Sequence, residues 1–280
     1  MLCPGYELAA GGKGANQATA AAKAGAAVRM IGHLGDDDFG RLARQSLEQA
    51  GADCAAVAVS SRPTGTAVIG VDRRGENQIM VASGANLDTR VDRLEGEPLS
   101  SKVTLLCQNE IAPDQTFAAI RRAKAGGART ILNLAPAGPV PGHVLDDLDV
   151  LIVNTLEAAM AAGMDETDDP VELARALVRA HRLTCIVTLG ARGAIAVAPE
   201  GGFRIGALPV TVKDTTGAGD AFVGVLAAAL DQGTALPEAL RRASVAAGLA
   251  CLEVGAQTAQ PTAQAIAAHL TDLPPPVPLA

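Results

Sequence analysis

The sequence predicts an α/β protein, a doubly wound and mostly parallel sheet flanked by helices with a small β lid, and three observations carry that prediction. Short continuous apolar runs, Val103-Thr104-Leu105-Leu106, Leu151-Ile152-Val153 and Cys185-Ile186-Val187, have the character of strands buried on both faces. Segments of helical period, such as Asp114 to Ala125 and Val171 to His181, lie between them. Strands that alternate with helices build parallel βαβ units. One stretch departs from this rhythm. Thr66 to Val71 and Asn77 to Ala82 flank the polar turn Asp72-Arg73-Arg74-Gly75, which reads as a hairpin projecting from the main sheet, placed to cover a site.

Further along, Ala194 to Ala198, the turn Pro199-Glu200-Gly201-Gly202 and Phe203 to Ala207 read as a second hairpin. The last third is helical over Ala218 to Gln232, Leu236 to Leu252 and Thr262 to Leu270, and its alanine content lets helices pack closely. The tail at 273–280 carries Pro274-Pro275-Pro276, cannot continue a helix, and is expected to be extended and exposed. The chain 1–280 is read as one domain, with the lid drawn from about 1–10 and 64–84.

Composition narrows the function. With 280 residues and 49% hydrophobic content the chain buries a large core, and no apolar run reaches the length of a membrane span. A net charge of −7, 2% aromatic residues and no block of clustered Lys and Arg argue against a nucleic-acid partner. Five scattered cysteines without a Cys-x-x-Cys pair, and an N-terminus without a basic or apolar leader, predict the reducing cytoplasm.

Several chemistries are missing. The four histidines are scattered without zinc spacing, and there is no Gly-x-Ser-x-Gly elbow. Gly217-Ala218-Gly219 does not extend to a dinucleotide fingerprint, and Gly12-Lys13 continues into Gly14 where a P-loop needs Ser or Thr. The acidic run Asp36-Asp37-Asp38 precedes a helix and is a capping signal; three adjacent carboxylates cannot all face one ion.

Two glycine-rich helix starts remain. Gly11-Gly12-Lys13-Gly14-Ala15-Asn16-Gln17 lets ligand hydroxyls approach the backbone, with Lys13 and Asn16 as directional polar groups. The plainer reading is a tight turn feeding a closely packed helix. Asp214-Thr215-Thr216-Gly217-Ala218-Gly219-Asp220 opens an apolar helix, where successive amides and the dipole make an anion hole for a transferring phosphoryl group. Asp220 beside it could take a proton from an attacking hydroxyl. Its plainer role is to complement the helix terminus.

The paired segments Gly11 to Gln17 and Asp214 to Asp220 together resemble the signatures of the ribokinase-like (PfkB) sugar kinases. Collinear matches at Ile31 to Gly40, Ser83-Gly84-Ala85-Asn86, Asn154-Thr155-Leu156-Glu157 and Thr188-Leu189-Gly190 extend the resemblance along nearly the whole chain. The resemblance implies transfer of the γ-phosphoryl of ATP to the primary 5-hydroxyl of D-ribose. Other sugars, sugar acids or nucleosides are the alternative acceptors, and an impaired sugar- or nucleotide-binding homologue is the alternative outside catalysis. It implies Asp220 as base, with the amides of Gly217, Ala218 and Gly219 holding charge on the phosphoryl group. Gly11, Gly12, Lys13, Asn16 and Glu110 fall where the family binds sugar hydroxyls. Asn154, Thr188, Gly190 and Gly219 fall on the nucleotide side, with Glu157 toward Mg²⁺ through water. Asp214 and the carbonyls of Thr216, Ala250, Glu253 and Gly255 match a potassium loop, in which Ala259 replaces a hydroxyl. A homodimer through the lid is also implied. Against the family pattern, Gly11 arrives after ten residues. A first strand with its sugar-binding Asp, and part of the lid, are therefore expected to be missing, either because the true start lies upstream or because the homologue is reduced.

Overall fold

The computed structural model describes residues 5–71, 77–165 and 169–279. The chain runs α1 (Lys13–Lys23), β1 (Gly32–Gly35), α2 (Asp38–Gln49), β2 (Val57–Ser60), β3 (Thr66–Val71), β4 (Asn77–Ala82), β5 (Thr104–Cys107) and α3 (Pro113–Ala125). It continues with β6 (Arg129–Asn133), α4 (Gly142–Leu145), β7 (Val150–Asn154), α5 (Thr155–Ala162), α6 (Pro170–His181), β8 (Thr184–Thr188), β9 (Ala194–Ala198) and β10 (Gly201–Ile205). The last elements are α7 (Ala218–Asp231), α8 (Leu236–Ala250), α9 (Ala263–Ala268) and β11 (Val277–Pro278).

The large sheet has seven strands in the order β11-β10-β9-β8-β7-β6-β5, with β5 to β8 parallel and β8 to β11 antiparallel to one another. Strict alternation along its inner strands divides the core. Ile131, Val150, Ile152, Ile186, Ala194 and Ala196 point to a cluster completed by α7, α8 and α9. Leu132, Leu151, Val153, Cys185, Val187, Ile195 and Val197 point to the opposite cluster, completed by α3, α4, α5 and α6. Each fully buried Ile or Leu contributes about 1.5–3 kcal/mol by leaving water, so the period-two pattern makes register costly to slip. This is the doubly wound α/β architecture the sequence predicts.

β1 and β2 pair in parallel as a sheet of their own, and β5 ends the large sheet with all four residues only partly buried. Among the described residues, β3 and β4 pair only with each other. The turn Asp72-Arg73-Arg74-Gly75 lies outside the described residues, as do residues 1–4 of the 1–10 lid stretch.

One sequence expectation is corrected, and the expected extended, exposed tail proves to be paired as well. The second hairpin has a tighter turn than expected, because Gly201 and Gly202 already pair with Ala198 and Val197 and the strand ends at Ile205. The proline-rich tail is exposed over Pro274 and Pro275 yet is not loose. Leu273 is buried, Arg204 and Phe203 pair with Val277 and Pro278, and the Leu279 amide donates to the Gly202 carbonyl at 2.9 Å.

Asp37 is the N-cap of α2: its Oδ1 accepts from the Gly40 amide at 2.7 Å and from the Thr64 hydroxyl at 2.6 Å, and its Oδ2 accepts from the Thr64 amide at 2.8 Å. It therefore ties the start of α2 to the segment leading into β3. The bonds from Thr64, followed by that from Gly40, hold its carboxyl below the usual aspartate value of 3.8. A lowered carboxyl stabilises the fold above the unfolded-state value and loses that contribution as pH falls through it. Asp37→Ala is expected to cost about 1 kcal/mol near neutrality, as for other N-caps. The difference from wild type in thermal unfolding should shrink as pH drops below 3.8; a penalty that stays constant with pH would contradict the assignment.

α1 and α7 pack at close range. A Cβ built on Gly224 would meet the Gln17 carbonyl at 2.4 Å and the Ala20 Cβ at 2.7 Å, so only glycine permits this approach. Gly224→Ala should lower stability by about 1–3 kcal/mol through overpacking, measured as a fall in Tm. An unchanged Tm would show that the helices part without cost.

Candidate active site

The polar residues singled out in the sequence gather at the carboxyl ends of the parallel strands, where open α/β sheets bind ligands. Glu110 follows β5, Asn154 ends β7 and Thr188 ends β8, and two residues not singled out there, Gln108 after β5 and Asn133 at the end of β6, join them. The N-terminal ends of α1 and α7 open onto the same crevice. The two glycine-rich segments, 203 residues apart between Gln17 and Asp220, are joined directly by side-chain hydrogen bonds.

Asp220 lies in the first turn of α7, and both of its carboxylate oxygens accept from α1. Asn16 Nδ2 donates to Oδ2 at 2.8 Å, and Gln17 Nε2 donates to Oδ1 at 2.9 Å. Asn16 is buried, and among the described residues its Oδ1 has no hydrogen-bond partner. A buried acceptor left open beside a carboxylate suits a hydroxyl-bearing ligand. Glu110 Oε2 accepts from the Lys13 amide at 2.8 Å, which pins the strand-end carboxylate to the first residue of α1. Burial pushes the Glu110 carboxyl above its usual value and the Asp220 charge adds to this, against the pull of the Lys13 amide and ammonium. Gly12 stands opposite Glu110, and Gly11 precedes it in the exposed mouth.

The anion-hole loop is shaped by a second loop. Gly217 is left-handed at φ 78°, and a Cβ there would lie 2.7 Å from the Ala256 carbonyl oxygen. Gln260 Nε2 donates to that same carbonyl at 2.6 Å and to the Gly217 carbonyl at 3.2 Å. The Lys23 ammonium donates to the Gln257 and Gln260 carbonyls at 3.1 and 3.0 Å. Of the three amides expected to hold charge, Ala218 is turned onto the Thr215 carbonyl at 3.2 Å, which closes the turn before α7. Among the described residues, the Gly217 and Gly219 amides have no protein acceptor.

Asp214 organises the adjoining loop. Its Oδ1 accepts from the Thr216 amide and hydroxyl at 2.9 and 2.7 Å, and its Oδ2 accepts from the Gly255 amide at 3.0 Å. The Gly255 bond, then the Thr216 hydroxyl, hold its carboxyl below the usual value. Asp214, Thr216 and Gly255 are thus brought together, with Ala250 and Glu253 on the same α8 exit. Ala259 is buried nearby and offers no hydroxyl.

On the other flank, Asn154 and Glu157 form a capping box for α5, with Asn154 Oδ1 accepting from the Glu157 amide and Glu157 Oε2 accepting from the Asn154 amide, both at 2.8 Å. Burial pushes the Glu157 carboxyl up, and the Lys13 charge lowers it in part. Lys13 therefore acts on both Glu110 and Glu157. The Thr188 hydroxyl is spent on the Val153 carbonyl at 3.2 Å, while Gly190 is left-handed and open at the strand exit. Among the described residues, no cluster of three or more His, Cys, Asp or Glu side chains could hold a metal ion alone.

Three residues that the sequence reading gave no role complete the site. Gln17 belongs to the first glycine-rich segment but carries no charge to draw notice. Gln108 and Asn133 are the polar residues that close two apolar strand runs, and that position was the available signal. Gln108 Nε2 donates to Gln17 Oε1 at 2.6 Å, and Gln17 Nε2 donates to Asn133 Oδ1 at 2.9 Å.

Known proteins resemble this chain in sequence and fold. The pfkB family carbohydrate kinase pattern matches residues 1–263. A ribokinase of Haemophilus influenzae is 36% identical over 265 residues, covering 92% of this chain and 86% of the relative. A deoxyribokinase of Salmonella typhi is 30% identical over 277 residues, covering 97% and 90%. The structure of Arabidopsis thaliana ribokinase complexed with ribose and ATP superposes with a TM-score of 0.87 at 28% identity, covering 96% of this chain and 90% of that one. The chain therefore belongs to the pfkB family of carbohydrate kinases and is a phosphotransferase enzyme.

Proposed function

We propose that the chain transfers the γ-phosphoryl group of ATP to the primary 5-hydroxyl of D-ribose, giving D-ribose 5-phosphate and ADP. The observation that carries this reading is Asp220, held through both oxygens beside the Gly217 and Gly219 amides. Relatives named ribokinase, and a neighbour solved with ribose and ATP, support it. In this reading Asp220 takes the proton of the 5-hydroxyl as its oxygen attacks the γ-phosphorus in line, and ADP departs. Charge that spreads over the phosphoryl oxygens meets the Gly217 and Gly219 amides at the positive end of α7. The sugar's other hydroxyls are held by the Glu110 carboxylate, the Lys13 ammonium, the open Asn16 Oδ1 and the backbone at Gly11 and Gly12.

Asn154, Thr188, Gly190 and Gly219 line the nucleotide. Mg²⁺ fits this site as an ion carried largely by the nucleotide's phosphates, because the nearby acid Glu157 has one oxygen committed to its helix cap and reaches outward only through water. A potassium ion fits the loop of Asp214 with the carbonyls of Thr216, Ala250, Glu253 and Gly255: one ionised carboxylate among neutral oxygens suits a monovalent cation, which would add positive charge beside the anion hole. The β3–β4 hairpin is the lid. Val68, Ile69, Ile79, Met80 and Val81 leave it apolar on both faces, one for the sugar side and one for the lid of a second copy in a homodimer. No helix among the described residues is long and apolar enough to cross a membrane. The scattered cysteines without a Cys-x-x-Cys pair support a reducing, cytoplasmic location.

The deoxyribokinase relative brings 2-deoxyribose forward as a second acceptor. A sugar that lacks one hydroxyl leaves a buried polar partner unpaired, which costs about 1–3 kcal/mol, so kcat/KM for ribose should exceed that for 2-deoxyribose by roughly 10–100-fold.

ADP release from purified protein with ATP, Mg²⁺ and K⁺ should require ribose, and Asp220→Asn should lower kcat by about 10²–10⁴-fold while ATP binding persists. Binding of ATP without ribose-dependent release would sink the proposal. Exchange of K⁺ for N-methylglucamine, a cation too large for the Asp214 loop, should slow turnover several-fold at constant ionic strength. An unchanged rate would remove the cation from the reading.

A further inference from the structure

We propose that Gln17 is a positioning residue for Asp220, and that the orientation of the base is set from the backbone of the central sheet through a chain of side-chain amides. The proposal rests on the reading of Asp220 as the base. The chain starts at β7, where the Ile152 carbonyl accepts from Asn133 Nδ2 at 3.2 Å. That bond fixes which way the Asn133 amide faces, so its Oδ1 must point at Gln17 and can only accept. Gln17 must answer with its Nε2, which it does at 2.9 Å. On the far side Gln108 Nε2 donates to Gln17 Oε1 at 2.6 Å, which agrees with that orientation. With both ends of the amide specified, Gln17 Nε2 is left facing Asp220 Oδ1 and donates to it at 2.9 Å.

A flip of the Gln17 amide would bring its oxygen against two acceptors and its nitrogen against a donor, so one orientation dominates. Gln17 is fully buried, whereas its neighbours on the inward face of α1 are alanines and a threonine. A side chain that merely filled this space would be apolar, because a buried amide is costly unless each group is paired. Asn16 holds the other oxygen of Asp220, but it also faces the ligand through its open Oδ1. Gln17 has no such second duty. The charged groups around the carboxylate are Glu110 after β5 and Lys13 and Glu157 bordering the crevice, and none of them bonds Asp220 in place of the amides.

The test is kinetic and structural. Gln17→Met should lower kcat by about 10–100-fold, the value of one hydrogen bond to a charged group, with KM for ribose and for ATP each within about threefold of wild type. In an Asp220→Asn background the same substitution should add less than about twofold, because its effect is exerted through the carboxylate. Losses that multiply in the double variant, or a KM rise with kcat preserved, would overturn the proposal. Should Gln17→Met fail to fold, Gln108→Met removes only the brace behind Gln17 and should lower kcat about 3–10-fold with the same KM pattern; an unaltered kcat would overturn it. A crystal structure of either variant decides the matter without turnover: an Asp220 carboxylate rotated away from its place supports the proposal, and an unmoved one refutes it. If the wild-type enzyme turns over no sugar, the proposed function fails by itself, and that structural result still judges the role of Gln17.

Discussion

α1 and α7 lie side by side in the same direction, and most of the site follows from that packing. Asp220 meets Asn16 and Gln17, and four residues later Gly224 meets Gln17, Ala20 and Ala21, so the two helices advance together away from the crevice. Both positive N-terminal ends therefore open at one place. Parallel dipoles side by side repel, and a fold that accepts this arrangement gains a pocket with a strong preference for negative charge. Asp220 and Glu110 supply part of that charge in the resting protein. An incoming polyphosphate supplies the rest, which is how an unfavourable helix pairing becomes useful for phosphoryl transfer.

The carboxylates of the crevice are held in different states by their surroundings. Glu110 and Glu157 are pushed upward by burial, each relieved in part by Lys13, while Asp214 is held low by the amides and hydroxyl that ring it. The buried pair sits where the ligand's own donors and cations would draw both carboxyls back toward their ordinary values. Asp214 is ionised whether or not anything binds, and this suits a loop whose geometry must exist before the ligand arrives. One lysine, Lys13, joins the β5 end of the crevice to the α5 end through its charge, so the two halves of the site are electrostatically a single unit.

Much of this was legible in the sequence because it is written in short-range signals. Uninterrupted apolar runs located β5, β7 and β8, the glycine-rich segments located the starts of α1 and α7, and Asp37 read correctly as a cap. What escaped depends on contacts between residues distant in the chain. Gln108, Asn133 and Gln17 are neutral amides whose meaning lies only in whom they face, and they come from three elements up to 116 residues apart. The turn of Ala218 onto Thr215 and the pairing of the proline-rich tail with β10 were equally silent, since a proline run signals the end of a helix and gives no hint of which strand edge it will reach. Period and composition report how an element buries itself, not which partner it meets.

The loop proposed as the anion hole is stabilised from behind. The backbone at Gly217 is left-handed and pressed against Ala256, a conformation that a β-carbon would not permit. Carbonyl groups from Ala256, Gln257 and Gln260 crowd this loop, and their mutual repulsion would push it open if nothing offset it. Lys23 and Gln260 do so by donating to those oxygens, the lysine at some cost, since burial lowers its own affinity for the proton. Lys23 is the last residue of the helix whose first turn holds Glu110 and Asp220. A single eleven-residue helix thus holds Glu110 and Asp220 near its N-terminus and steadies the loop behind Gly217 with its C-terminal residue. The two carboxylates held at one end of α1 and the loop braced at its other end are therefore kept at a fixed separation by a rigid rod, where two independent loops would let it drift.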